Sequence, residues 1–76
     1  MTLWELKPNQ KCKVKNLAEV SESVSHKIRD LGILEFESVG CIQWLPLGGP
    51  RVYRLANGIF ALEKSIARTI EVELST

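Results

Sequence analysis

Residues 51–62 read Arg-Val-Tyr-Arg-Leu-Ala-Asn-Gly-Ile-Phe-Ala-Leu. Two short apolar runs flank the pair Asn57-Gly58, which is a strong hairpin signal because a type I′ turn needs positive φ at both central residues. A two-residue turn there would place Leu55 opposite Phe60, with both side chains on one face of the sheet. The segment therefore predicts two antiparallel strands.

The segments on either side of this hairpin predict further strands and turns. Residues 38–45 carry apolar side chains at both odd and even positions, as in a strand that is covered on both faces. Residues 45–50 cannot continue a ladder, because two prolines lack N–H donors and two glycines favour turns. Residues 63–67 predict one helical turn, and residues 70–74 alternate as a last strand.

The first half of the chain predicts a strand followed by a helix. Pro8-Asn9 favours a turn, since proline fixes φ and asparagine tolerates the left-handed region. Residues 11–17 begin as an alternating, half-buried strand. Residues 21–31 predict an amphipathic helix that ends at Gly32, because apolar side chains recur at helical spacing. That apolar stripe comprises Val20, Val24, Ile28 and Leu31.

This order of elements indicates a mainly β fold in a single domain that occupies residues 1–76. Five short strands in a chain of 76 residues are most economically closed into a small β-barrel, which hides the edges that an open sheet exposes. One α-helix is inserted after the first strand, and one short helical turn precedes the last strand.

Composition and charge exclude several classes of protein. An apolar fraction of 45% with 25% charged residues is an ordinary globular mixture. A formal net charge of +1 lacks the basic excess usual in nucleic-acid-binding domains, so we expect no nucleic-acid partner. No apolar run approaches the roughly 20 residues of a membrane span, and we expect no signal peptide. The sequence thus predicts a cytoplasmic protein with two reduced, buried cysteines, Cys12 and Cys41.

Catalytic motifs are missing from the sequence. It contains no nucleophile elbow and no dinucleotide fingerprint, and Gly48-Gly49-Pro50 lacks the Lys-Ser/Thr that a phosphate loop requires. So small a core also leaves little room for a desolvated pocket of the usual ligand size. We therefore expect no enzymatic activity and no cofactor.

A helix face offers a weak candidate for a metal site. Glu22, His26 and Asp30 follow one another at spacings of four and could share that face. The trio contains one histidine and no dense ligand motif, so a solvated helix face is the simpler interpretation. Cys12 and Cys41, one on each of two strands, would make a poor closed site. We expect no metal site.

Residues 44–50 are the most informative candidate for a partner-binding site. Tryptophan, leucine and proline beside two glycines would give an apolar, shaped surface on an otherwise charged scaffold. The alternative is that Trp44 and Leu45 fill the barrel end while the glycines only turn the chain. An apolar loop of this kind could also mediate self-association into a homo-oligomer. The candidate residues are Trp44, Leu45, Pro46, Leu47, Gly48, Gly49 and Pro50.

The edge strands and the hairpin at Asn57-Gly58 offer a second docking mode. A partner peptide could add a strand to an exposed sheet edge. The Asn-Gly pair is also fully explained by turn geometry, so plain hairpin architecture is the competing interpretation.

Four motifs stand out when they are taken together: Leu6-Lys7-Pro8, Asp30-Leu31-Gly32, the segment 45–50, and Leu62-Glu63-Lys64 followed by Ile70-Glu71-Val72. Their order and spacing over nearly the whole chain resemble the FeoA family. The resemblance implies a small SH3-like barrel with an inserted helix. It also implies a non-catalytic accessory role in bacterial ferrous iron uptake, with a FeoB-type transporter as the partner that recruits the protein to the inner face of the membrane. That transporter is a membrane protein with a cytosolic GTPase domain, and the sequence leaves open whether the GTPase domain or the membrane portion is contacted.

The sequence departs from the family pattern at three places. Ile33 to Glu37 replaces a Pro-Gly turn that often follows the helix, so the turn geometry there needs another explanation. Gly49 stands where the family loop commonly has aspartate, so a role of that acid does not carry over. Asn9 stands where glycine is usual, a milder change because asparagine also adopts positive φ.

Two other functions compete with this one. Metal-dependent transcription repressors carry a similar small barrel as a regulatory or dimer-contact module. A nucleic-acid-binding barrel would instead use Tyr53 or Trp44 to stack bases. Its phosphate contacts would come from the basic residues Lys7, Lys11, Lys13 and Lys15.

Overall fold

The computed structural model describes residues 1–15, 17 and 20–75. Residue 16 of the predicted first strand lies outside this part of the chain, as do residues 18, 19 and 76 of the predicted domain. The elements in chain order are a 3₁₀ helix Leu3–Glu5, β1 Lys11–Val14, α1 Glu22–Asp30, β2 Ser38–Trp44, β3 Arg51–Leu55, β4 Gly58–Leu62, α2 Lys64–Ala67 and β5 Val72–Ser75.

The strands form one antiparallel five-stranded sheet in the order β4-β3-β2-β1-β5. The predicted mainly β fold with one inserted helix and a short second helix is confirmed. The expectation of a closed ladder is wrong, because among the described residues β4 and β5 do not pair. The N-terminal segment lies along β5 instead: Val72 donates its N–H to the Met1 carbonyl at 2.8 Å, and Leu3 donates to the Ile70 carbonyl at 2.8 Å.

The core lies on the inner face of the curved sheet, and strand alternation selects its residues. In β1 the lysines are exposed while Cys12 and Val14 are buried. The inserted helix adds Ile28 and the N-terminal 3₁₀ helix adds Leu3, so non-strand elements cover the open sides of the sheet. The largest fully buried side chains are Tyr53, Leu3, Leu6, Ile28, Ile33 and Ile70.

Helix α1 ends as its sequence predicts. Gly32 has φ +86° at the C′ position, directly after the C-cap residue Leu31. Its N–H bonds the Arg29 carbonyl and the N–H of Ile33 bonds the Ile28 carbonyl, which together form a Schellman motif. At the other end Ser21 occupies the N-cap position, but its side chain makes no capping hydrogen bond.

The β3–β4 hairpin forms, but its predicted register is wrong by two residues. Leu55 lies opposite Gly58 and Tyr53 opposite Phe60, so the two-residue turn is Ala56-Asn57. Gly58 has φ +140°, whereas Asn57 does not have positive φ. The turn therefore is not type I′, and glycine serves as the first residue of β4 rather than inside the turn.

A β-bulge in β2 changes which face its last residues present. Cys41 lies opposite Tyr53, but Gln43 lies opposite Val52, so Ile42 is the extra residue. The extra residue reverses the alternation. Trp44, opposite Arg51, therefore lies on the core side of the sheet at the end of the barrel.

Outside residues 44–50, two turns of the described chain hold non-glycine residues with positive φ. Asn9, with φ +71°, follows Pro8, and the Gln10 N–H bonds the Lys7 carbonyl at 3.0 Å, which confirms the predicted turn. Phe36 has φ +64° in the turn 34–37, where the Glu37 N–H bonds the Leu34 carbonyl. This is the geometry that a Pro-Gly turn would supply, kept here without glycine.

Candidate functional site

The docking loop, defined as residues 44–50, leaves the sheet at the end of β2 and returns at β3. Leu45 donates its N–H to the Pro50 carbonyl at 3.2 Å, which closes the base of the loop. At the tip Gly49 donates to the Pro46 carbonyl at 3.2 Å across Leu47 and Gly48. These two central residues have φ of +61° and +69°, as in a type I′ turn. The type I′ turn of this protein thus lies in the docking loop.

Leu47 is the most exposed large apolar residue of the described chain. Its side chain is fully exposed, and its backbone adopts a left-handed conformation. That conformation costs roughly 1–2 kcal/mol for an L-residue with a Cβ. Neither burial nor backbone geometry therefore favours leucine at this position.

Trp44 and Leu45 lie nearer the barrel than Leu47 does. Trp44 is 40% exposed and donates its indole Nε1–H to the Leu6 carbonyl at 2.9 Å. Leu45 is half-buried. The barrel-end interpretation of these two residues therefore has a structural basis, and it does not extend to Leu47.

The remaining residues of the docking loop shape its turn. Pro46 and Gly48 are exposed, and Pro50 is half-buried. A Cβ at Gly49 would lie 3.1 Å from the Pro46 carbonyl oxygen, which is tighter than ordinary packing allows. The aspartate common in related loops would therefore require this turn to shift.

A stack of three side chains lies at the base of the docking loop. The guanidinium carbon of Arg51 lies 3.8 Å from the ring centroid of Trp4 and 3.8 Å from that of Trp44. Both faces of the guanidinium are thus covered by aromatic rings, an arrangement that cation–π attraction stabilises. Sequence reasoning missed this site, because Trp4 is remote in sequence and the bulge in β2 decides where Trp44 points.

The two cysteines are free and buried in the core. They lie on neighbouring antiparallel strands at diagonal positions, since Cys12 is opposite Val39 and Cys41 is two residues further along β2. Burial raises the pKa of Cys12 to about 11, and it also raises the pKa of Cys41. Protonated, inaccessible thiols are poor metal ligands and poor nucleophiles, which suits the predicted core role.

The helix trio is not brought together as a metal site. His26 Nε2 lies 4.0 Å from a Glu22 carboxylate oxygen, with both side chains largely exposed. Asp30 is exposed on the last turn of α1. Within residues 1–15, 17 and 20–75, no group of three or more histidine, cysteine, aspartate or glutamate side chains could hold a metal ion.

The geometry does not favour nucleic-acid stacking. Tyr53 is fully buried and donates its hydroxyl to the Leu3 carbonyl at 2.9 Å, so the prediction that it could stack a base is wrong. Trp44 already stacks on Arg51. The basic residues Lys7, Lys11, Lys13 and Lys15 are exposed. Of these, Lys11 and Lys13 lie on the outer face of β1.

The two sheet edges differ. The N-terminal segment forms a bridge just before β5, where Thr2 pairs with Glu71. Strand β4 pairs only with β3 within the described chain, and its sequence Gly-Ile-Phe-Ala-Leu carries no charge. The predicted strand-addition mode therefore has one suitable edge, at β4.

No helix of the described residues is long and apolar enough to span a bilayer.

The sequence matches the family model of the FeoA domain over residues 1–74. The chain belongs to the FeoA family. This membership carries an association with ferrous iron transport, and it confirms the resemblance noted in the sequence. No curated protein matches the chain.

Solved FeoA structures superpose closely on this one. Iron(II) transport protein A from Clostridium thermocellum is 35% identical with a TM-score of 0.88; the match covers 97% of this chain but 45% of that protein. A FeoA-like protein from Clostridium acetobutylicum is 30% identical, with a TM-score of 0.89 and coverage of 100% and 87%. FeoA from Stenotrophomonas maltophilia, a prokaryotic SH3 domain protein complexed with zinc, is 26% identical, with a TM-score of 0.77 and coverage of 96% and 89%.

The repressor resemblance concerns the fold alone. A manganese-dependent transcriptional repressor superposes with a TM-score of 0.86 at 14% identity, over 97% of this FeoA chain and 40% of the repressor. At that identity the shared barrel does not carry a shared function.

Proposed function

We propose that this FeoA protein acts in ferrous iron uptake by binding the cytosolic part of a FeoB-type transporter, without catalysis, and that the docking loop is its contact surface. The protein would then reside in the cytoplasm and be recruited to the inner face of the membrane by its partner. Leu47 carries the proposal: a fully exposed leucine in a left-handed conformation has no stabilising role in the isolated fold.

Three features of the loop support a docking role. Its tip is a tight turn, so little conformational entropy is lost when a partner orders it. Its base is closed by the bond from Leu45 to Pro50 and stiffened by the Trp44 indole bond. An apolar side chain held on a rigid support and inserted into a partner pocket is the usual form of an interface anchor.

The decisive experiment compares capture of a purified FeoB-type transporter by wild-type protein and by Leu47→Asn. Asparagine adopts the left-handed conformation more readily than leucine, so the fold should be kept or stabilised. Burying a leucine side chain is worth about 1.5–3 kcal/mol, so we expect affinity to fall at least about tenfold. Unchanged affinity for the folded variant would refute the docking role.

Phe36→Asn is the matched control. Phe36 is also exposed and also has positive φ, but it precedes β2 whereas Leu47 follows it. The seven residues of β2, at about 3.3 Å each, separate the two sites by roughly 20 Å. We expect Phe36→Asn to leave transporter affinity within about twofold of wild type.

A further inference from the structure

The edges of the Arg51 guanidinium make no hydrogen bond or ion pair with the described residues 1–15, 17 and 20–75. Its two faces lie against Trp4 and Trp44 at 3.8 Å. In the part of the chain that the structure describes, no carboxylate lies within 4.0 Å of it and no acceptor takes its N–H groups. The N–H donors of arginine lie in the guanidinium plane, so stacking on both faces leaves them available.

These donors reach solvent although Arg51 is half-buried. No described side-chain nitrogen or oxygen is both buried and without a hydrogen-bond partner, so the unbonded Arg51 nitrogens are accessible. An exposed arginine is normally mobile and loses rotamer entropy when it binds. Here the two indoles already restrict the side chain, so that loss is smaller.

Arg51 lies at the base of the docking loop. It directly follows Pro50 and lies opposite Trp44 across the β2–β3 pair. A segment that covers Leu47 at the tip would therefore pass near a fixed cation at the base.

We infer that Arg51 is a carboxylate-binding residue, held ready by Trp4 and Trp44, and that the partner segment seated on the docking loop places an aspartate or glutamate side chain against it. This inference rests on the proposed function and specifies the chemistry of the partner. A planar guanidinium edge matches a carboxylate in a two-bond geometry.

The charge distribution favours a carboxylate over a polyanion such as a nucleic acid. Lys11, Lys13 and Arg54 are exposed on the outer face of the sheet, whereas Arg51 lies on the core side at the barrel end. These three basic residues therefore do not share a surface with Arg51, and a single cation suits a single carboxylate.

An NMR titration tests the site without any transporter. Sodium acetate is added to the full-length ¹⁵N-labelled protein, with sodium chloride at the same ionic strength as the reference. The Nε–H signal of Arg51 should shift saturably with acetate, along with the indole N–H signals of Trp4 and Trp44. Arg54, on the same strand without an aromatic stack, is the internal control. The inference is overturned if Arg51 shifts no more than Arg54, or if sodium phosphate saturates the site at lower concentration than acetate.

Transporter binding tests the role of the site. Arg51→Met keeps an unbranched side chain between the two indoles but removes the charge and the donors. We expect affinity for the transporter's cytosolic region to fall about tenfold and its dependence on salt to weaken, because a desolvated charge pair is lost. Arg51→Lys keeps the charge without the planar edge, so its affinity for the transporter should lie between those of wild type and Arg51→Met. The affinity of Arg54→Met should equal that of wild type.

The outcomes separate this inference from the proposed function. If Leu47→Asn loses binding while folded Arg51→Met binds like wild type, the docking loop stands and the carboxylate inference is wrong. If wild-type protein does not bind the transporter at all, the proposed function is wrong. The acetate titration then decides alone whether Arg51 binds carboxylates.

Discussion

The hydroxyl of Tyr53 donates a 2.9 Å hydrogen bond to the carbonyl oxygen of Leu3, and both residues are fully buried. The bond ties the middle of β3 to the 3₁₀ helix at the N-terminus. Trp44 makes a second such bond, from its indole N–H to the Leu6 carbonyl. Side chains of the sheet thus anchor the N-terminal segment, which in turn lies along β5.

Removing the Tyr53 hydroxyl should weaken the fold without changing its shape. Tyr53→Phe removes one of the two hydrogen bonds that the Leu3 carbonyl accepts, the other coming from the Leu6 N–H at 3.2 Å. The loss of one such bond costs about 0.5–1.5 kcal/mol. Urea denaturation should show a lower midpoint with an unchanged slope. Thr69→Val is the control, because it removes a local, half-buried bond to the Ile66 carbonyl and should cost less. An unaltered midpoint for Tyr53→Phe would contradict this account.

Replacing Phe36 by glycine should stabilise the protein. Phe36 is 70% exposed and has φ +64°, so its side chain gains little from packing while its backbone is unfavourable. Glycine removes that cost but loses more entropy on folding, which leaves a net gain of about 0.5–1 kcal/mol. Leu34→Gly, in the same turn without positive φ, should instead lower stability. Thermal unfolding of the two variants distinguishes them, and a loss of stability in Phe36→Gly would count against the strained turn.

The observed hairpin register requires positive φ at Gly58 but not at Asn57, so substitutions at the two positions should differ in their effect on stability. Gly58→Ala should cost about 1–2 kcal/mol, since φ +140° is unfavourable for any residue with a Cβ. Asn57→Ala should change stability by less than about 0.5 kcal/mol, because Asn57 does not have positive φ. Equilibrium denaturation measures both. Comparable losses at the two positions would indicate the type I′ turn that the sequence suggested.

Stability should fall at alkaline pH. Burial raises the pKa of Cys12 to about 11 and raises that of Tyr53, so the folded state holds protons that the unfolded state releases. The Cys12 stabilisation is complete below the unfolded cysteine pKa of about 8.5 and is lost as pH rises towards 11, by up to about 1.4 kcal/mol per pH unit. The Tyr53 stabilisation is lost only above the unfolded tyrosine pKa of about 10. The free energy of unfolding, measured between pH 8 and 10.5, should fall less steeply in Cys12→Ala. Identical slopes would show that Cys12 does not contribute.

Much of the fold was predictable from local patterns. The helix was predicted over 21–31 and observed as Glu22–Asp30, because spacing and capping signals are properties of neighbouring residues. The first strand was predicted to reach residue 17, but β1 ends at Val14. Closure was mispredicted because β5 pairs with β1 on one side, while the N-terminal segment, which carries no strand pattern of its own, bonds the start of its other side.

The docking loop was predictable as an irregular apolar segment, but its geometry was not. Prolines and glycines predicted the break between β2 and β3. The loop's turn determines which apolar side chain is fully exposed, and in this structure it is Leu47 and not Trp44. The Asn57-Gly58 signal showed the same limit, since it predicted the hairpin but not its register.

The sequence by itself determined the types and order of the elements from β1 to β5, although not the N-terminal 3₁₀ helix Leu3–Glu5. Alternation, helical spacing and turn residues act within a few positions of the chain. Only the tertiary structure decided that Arg51 lies between Trp4 and Trp44 and that Tyr53 bonds Leu3. Those contacts join segments far apart in sequence. They depend on strand register and on one extra residue in β2, which reverses the faces of all that follow it in that strand.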